Sequence, residues 1–190
     1  MEEGFQEFPI FDASDLKIGM VVSRQNYTVA QNLLRFAKDA LFEYNIGSLD
    51  SDIVFVAGPM EVPYALQRMA SSGNYDCLVV IGCILIDSPR GSIEIDTLRE
   101  SVLQLTFQYK LPIGFGVVVA RREKDAVNQL YFAAEAAAGA LELANLESRA
   151  QSKKAAAPKK KATVKKTTLK RGMIFDSDDS TRPTEEEPVE

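Results

Sequence analysis

The chain has 190 residues, 46% hydrophobic and 26% charged, which suits one globular domain with something added. Its net charge of −5 is divided unevenly: residues 1–148 carry 11 Lys/Arg against 20 Asp/Glu, 149–172 carry 10 against none, and 173–190 carry 1 against 7, so an acidic body, a cationic segment and an acidic end follow one another. The acidic start MEEGFQEFPI is unlike a secretory leader, the longest apolar run (77–86) is far short of the ~20 residues needed to span a bilayer, and zero histidines with two cysteines exclude ordinary zinc sites and the usual neutral-pH proton shuttle. A cytoplasmic protein with no metal and no membrane partner is expected.

Residues 17–22 (KIGMVV) read as a first strand. From 28 to 44, Val29, Leu33, Leu34, Ala37, Ala40, Leu41 and Tyr44 recur three or four apart and predict one amphipathic helix. A second strand is expected at 53–57 (IVFVA). The helix after it opens at Pro63, a residue suited to a first helical position, and stops near Gly73. The third strand, 78–86 (LVVIGCILI), is apolar on both faces. Strand spacing sets Cys77 and Cys83 ~20 Å apart, so both are expected as buried, reduced thiols.

Ser92 can cap a third helix, whose Ile95, Leu98, Val102, Leu105 and Tyr109 form a narrow stripe fit to pack on another helix, one from a neighbouring subunit included. Glu94, Asp96, Arg99 and Glu100 are expected on its solvated face. The fourth strand is 113–120 (IGFGVVVA). The alanine-rich stretch 125–148 is the last helix, with Gly139 as the point where it would divide. Two-faced apolar strands alternating with helices mean a parallel sheet covered on both sides, an α/β sandwich with right-handed crossovers. Ligands in such folds sit beyond the carboxyl ends of the strands, here 58–63, 82–90 and 121–124.

From 151 onward the hydrophobic period is lost, and a disordered tail is expected over 149–190, basic to 172 and acidic beyond. The apolar island Met173, Ile174, Phe175 separates its two charge blocks. Three readings stand: a solvated spacer; a polycation binding nucleic acid or another polyanion through salt-sensitive phosphate contacts, with avidity if displayed on an oligomer; or an acidic end folding back on its own lysines. Residues 1–15 are read as an extension and 16–148 as the domain.

Taken in order, LKIGMVVSRQN, AGPMEVPYALQRMA, YDCLVVIGCILI, IGFGVVV and LELANL resemble the successive motifs of the lumazine synthase family of riboflavin biosynthesis. The resemblance implies a flavodoxin-like three-layer sandwich around a four-stranded parallel sheet. It also implies a homo-oligomer, a pentamer or multiple of pentamers, with sites between subunits. The reaction implied is the cofactor-free condensation of 5-amino-6-ribitylaminouracil with 3,4-dihydroxy-2-butanone 4-phosphate.

The substrate-binding positions implied are Gln25, where the family has an aromatic that stacks on the pyrimidine, and Asn26. Pro59, Met60 (in place of Phe) and Glu61 match the ribityl-binding segment. Cys83, Ile84 and Leu85 fall where backbone groups read the uracil edge, with Ser88 and Pro89 in the loop that follows. Phe115 matches an aromatic at the end of the pocket, and Gln129 stands where the family has its phosphate-gripping arginine.

The chemistry-bearing positions depart from the pattern. Gly91 stands at the place of the proton-transfer histidine, so no catalytic residue is assigned; such a loss removes about 10² to 10⁴ in rate. Asp87 replaces a phosphate-loop glycine and brings negative charge toward a phosphodianion, while Arg90, Arg121 and Arg122 are candidate substitute cations. Plainer readings stand beside these: Glu61 as a capping carboxylate, Phe115 as core, 88–92 as a strand-to-helix turn. Two functions follow, a lumazine synthase subunit with an atypical phosphate site, or a catalytically inactive oligomeric shell or scaffold whose lysine-rich tail binds polyanions or cargo.

Overall fold

The computed structural model describes residues 11–47, 52–86 and 89–156, with only the backbone course given for 89, 90 and 149–156. Of the disordered tail expected over 149–190, residues 149–156 are instead helical; 157–190, like the first ten residues, lie outside this set. Strands β1 (Ile18–Ser23), β2 (Ile53–Val56), β3 (Cys77–Leu85) and β4 (Ile113–Ala120) pair in parallel in the order β2-β1-β3-β4. Helices α1 (Tyr27–Glu43), α2 (Val62–Ser72), α3 (Pro89–Tyr109), α4 (Glu123–Ala126) and α5 (Tyr131–Ala156) complete the described chain. The α/β sandwich and its four-stranded parallel sheet are thus as expected, with strand ends within about one residue of the sequence reading.

Strand β3 shows why an unbroken apolar run was needed. Its alternate residues Cys77, Val79, Ile81 and Cys83 join the core under α1 and α5, while Leu78, Val80 and Ile84 join the core under α2 and α3, as the two-residue period of a strand buried on both faces requires. Both cysteines are free and buried. Burial pushes the Cys77 thiol up to about 12 and the Cys83 thiol up to about 11. Against β4, α5 lies backbone to backbone: a Cβ on Gly114 would stand 2.2 Å from the Ala136 carbonyl oxygen. Residues counted as extension also take part, since Ala13 N–H donates to Tyr44 O at 2.9 Å and Phe11 meets the Tyr44 ring edge to face at 5.2 Å. No described helix is long and apolar enough to cross a membrane.

Three expectations are corrected. Helix α3 begins at Pro89, because a proline costs nothing in a first turn, so Ser92 lies inside the helix and is not its cap. Glu94, assigned to the solvated face, is buried at 5% exposure; it stands four residues before Leu98 and shares that residue's inner face. The last helical region does not divide at Gly139. It breaks earlier, at a 3-10 turn over Val127–Gln129, and α5 then runs unbroken to Ala156. Val127 and Asn128 are poor helix formers, whereas the alanines flanking Gly139 carry the helix across it.

Candidate functional site

The strand order reverses between β1 and β3, which opens a crevice at their carboxyl ends. Pairing of β1 with β3 stops at Val22 and Ile81, but β3 continues alongside β4 from Gly82 to Leu85. Those last four residues therefore have one edge that β1 does not cover. Of the backbone groups there, the Cys83 carbonyl is taken by Asn26 and the Leu85 carbonyl lies against Gly91 at the start of α3.

The turn from β1 into α1 closes over part of that edge. Asn26 takes a left-handed conformation (φ 51°, ψ 54°), which asparagine tolerates better than most residues with a Cβ, and its Nδ2 donates to Cys83 O at 2.9 Å. On the other side Arg24 N–H donates to Val56 O at 2.9 Å, and Gln25 N–H donates to Ser23 Oγ at 3.4 Å. The turn is thus tied to β2 and β3 at once. Gln25, half-buried, is held between the two ties.

After β2 the chain enters a 3-10 turn over Pro59–Glu61, with Pro59 buried and Met60 50% exposed. Glu61 Oε2 accepts Gly58 N–H at 2.8 Å, the capping arrangement offered as its plainer reading. A Cβ on Gly58 would lie 3.2 Å from Glu61 Oε2 and 3.3 Å from Gln25 Oε1, so two predicted site residues converge on one glycine. Gly58 was not singled out in the sequence, although the Gly-Pro pair of AGPMEVP marks a turn there.

At the far side of the crevice the start of α3 rests on the end of β3. A Cβ on Gly91 would stand 2.3 Å from Leu85 O and 3.1 Å from Ile86 Cα. Both neighbours are backbone, so no side chain, an imidazole included, fits without moving the helix. Asp87 and Ser88, and the side chains of Pro89 and Arg90, lie outside the described residues.

The other phosphate-side positions are engaged locally. Arg122 forks onto Asp125 through Nε at 2.9 Å and Nη2 at 3.1 Å, and that bond holds the Asp125 carboxyl below its ordinary range. Arg121 is exposed. Gln129 Nε2 donates to Asp125 O at 3.3 Å, within its own turn. Phe115 sits in mid-strand opposite Val80, half-buried against the core under α2 and α3, the surroundings foreseen in its core reading. Among the described residues no cluster of three or more His, Cys, Asp or Glu is arranged to hold a metal.

The geometry is that of a small crevice with a polar, tightly fixed wall at the β1–α1 turn and a closed wall at α3. The family model described as 6,7-dimethyl-8-ribityllumazine synthase matches residues 15–148, a span that takes in all four strands and both walls.

Proposed function

Because the chain belongs to the 6,7-dimethyl-8-ribityllumazine synthase family, we propose that it is a riboflavin-pathway subunit that keeps the family's pyrimidine-binding frame and has lost efficient condensation of 5-amino-6-ribitylaminouracil with 3,4-dihydroxy-2-butanone 4-phosphate. One observation carries this reading: the place of the proton-transfer histidine is occupied by Gly91, whose missing Cβ would meet the Leu85 carbonyl oxygen at 2.3 Å. Imine formation, phosphate loss and ring closure each move a proton. Removing a positioned general acid/base costs about 10² to 10⁴ in rate, or roughly 3 to 5 kcal/mol of barrier. The phosphate end agrees, since Gln129 is a neutral amide turned onto its own backbone and Arg122 is engaged by Asp125.

What remains is a frame and a surface. Ile93, Leu103 and Phe107 of α3, with Leu143 and Leu146 of α5, are exposed in the single chain. Exposed apolar groups of this size support association, and we place the subunit in a pentamer or a multiple of pentamers. The role proposed is that of an oligomeric shell or scaffold in the cytoplasm, where free buried thiols are the ordinary state of cysteine. Its lysine-rich segment, with 10 cationic and no acidic residues over 149–172, would hold polyanions or cargo by salt-sensitive contacts.

The test is turnover. Purified chain mixed with both family substrates is expected to form fluorescent lumazine no faster than the spontaneous condensation, and a rate ordinary for the family overturns the reading. A monomer at micromolar concentration removes the scaffold role. Retention on a polyanion that is unchanged by salt, or by ending the chain at Ala156, removes the role of the tail.

A further inference from the structure

We propose a second ligand site, a recess at the amino ends of the strands, which takes a small zwitterion with an apolar body, an α-amino acid of the leucine or phenylalanine kind. The recess has a volume of about 440 Å³ and is lined from the starts of β1, β2 and β3, a size ordinary for a small-molecule site. It lies at the end of the sheet opposite the crevice and shares no described residue with it.

The strand register builds its acidic wall. Asp52 comes just before Ile53, which pairs with Met20, and Tyr75 stands two residues before Cys77, which pairs with Ile18. The Tyr75 side chain therefore crosses β1 from the β3 side to the β2 side, where its hydroxyl donates to Asp52 Oδ1 at 3.2 Å. Gly19 gives it passage, since a Cβ there would stand 3.0 Å from Tyr75 Cε1. Burial, with the Asp52 charge beside it, raises the Tyr75 phenol above its ordinary range, so the phenol stays a donor and holds the half-buried carboxylate in place. The cationic wall is fixed by its main chain: Lys17 N–H donates to Asp76 Oδ2 at 2.8 Å, and Asp76 N–H donates to Lys17 O at 2.8 Å.

Among the described residues no acidic side chain pairs with the Lys17 ammonium, and its four-carbon stem lets it follow a ligand. Asn74 adds amide N–H donors to the lining. An anion alone would meet the Asp52 carboxylate, and a cation alone would meet Lys17, so each would face a like charge. A zwitterion meets both walls with the right signs: its ammonium donates to Asp52, and its carboxylate accepts from Lys17 and Asn74. Such charge-assisted bonds are the strong ones. Leu16, Ile18 and Ile46 make up the apolar lining, which favours a ligand that carries a hydrocarbon side chain out of water.

The experiment titrates the full-length chain by calorimetry with L-phenylalanine, phenethylamine and 3-phenylpropionate, which share a skeleton and differ only in the charges they carry. L-phenylalanine is expected to bind more tightly than either of the others by about tenfold or more. Asp52→Asn should weaken L-phenylalanine by about tenfold and remove its advantage over 3-phenylpropionate, leaving its advantage over phenethylamine. Lys17→Met should do the converse, and because Lys17 is exposed this variant tests the site even if Asp52→Asn unsettles the chain. No binding of L-phenylalanine by the unmodified chain, equal affinity for the three compounds, or an L-phenylalanine affinity unchanged in Lys17→Met overturns the inference. None of these results touches lumazine turnover, so the reading of the crevice stands or falls separately.

Discussion

At one side of the crevice the β1–α1 turn is tied to two strands by short bonds, from Arg24 N–H to Val56 O and from Asn26 Nδ2 to Cys83 O. At the other, α3 lies with Gly91 directly against the Leu85 carbonyl. The first wall is made of main chain and short polar side chains, tied to both neighbouring strands. The second wall is where we propose that Gly91 has taken the place of the family's proton-transfer side chain. With glycine there, helix and strand approach to a distance that leaves no room for its return. On the proposed reading, binding frame and chemical group are separable: the frame follows from the fold, and the group does not.

The sharpest way to break this contrast is kinetic. Replacing Gly91 by His is expected to leave turnover at the spontaneous rate, measured as lumazine fluorescence with both substrates, although a working histidine is worth about 10² to 10⁴; a gain of that size would show that the two walls are not independent. The same place is open to a stability measurement. Gly91→Ala should lower the urea-unfolding free energy by about 1 to 3 kcal/mol, the ordinary cost of forcing atoms into a filled site, and an unchanged midpoint would mean that α3 can slide off β3.

A smaller effect is expected at the first wall. Asn26→Ala removes the bond to Cys83 O and places a less tolerant residue at φ 51°, for a loss of about 1 to 2 kcal/mol. Asn26→Gly removes only the bond and should cost less than Asn26→Ala. Equal losses would put the whole effect on the hydrogen bond and none on the backbone.

At neutral pH the smallest effect is that of the thiols, which act only in alkaline solution. An unfolded thiol ionises near 9, whereas burial holds Cys83 to about 11 and Cys77 to about 12, so the folded state binds protons that the unfolded state has released. The stabilisation is complete below pH 9 and is lost as the pH climbs through 11 to 12. A urea midpoint that falls over this interval, and that stops falling when both cysteines are replaced by Ala, checks it. Thiol reagents at neutral pH should leave both residues unmodified until the chain unfolds.

The strands and the first two helices were legible because their signal is local: β-branched runs such as LVVIGCILI and the three-and-four spacing from Val29 to Tyr44 need no knowledge of what they pack on. The capping reading of Glu61 was legible in the same way, whereas the tie of Asn26 to Cys83 O spans 57 positions and was not. The closing of α3 onto β3 was not, because a glycine in a sequence carries no record of the carbonyl it faces. Glu94 was misplaced for a related reason. Its charge argued for solvent, while its four-residue spacing to Leu98 argued for the inner face, and tertiary packing decided in favour of spacing. The meeting of Gln25 with Glu61 joins residues 36 positions apart through Gly58, and only the register of β1 beside β2 brings them together.

The length of α5 has an electrical consequence. Among its described side chains the last buried one is Ala144, yet the helix continues to Ala156, which sets positions 153 and 154, both lysines, in its final turn. The carbonyls of that turn form the negative end of the helix dipole, so cations there favour the helix by about 0.3 to 1 kcal/mol each at low ionic strength, and by less as the salt rises.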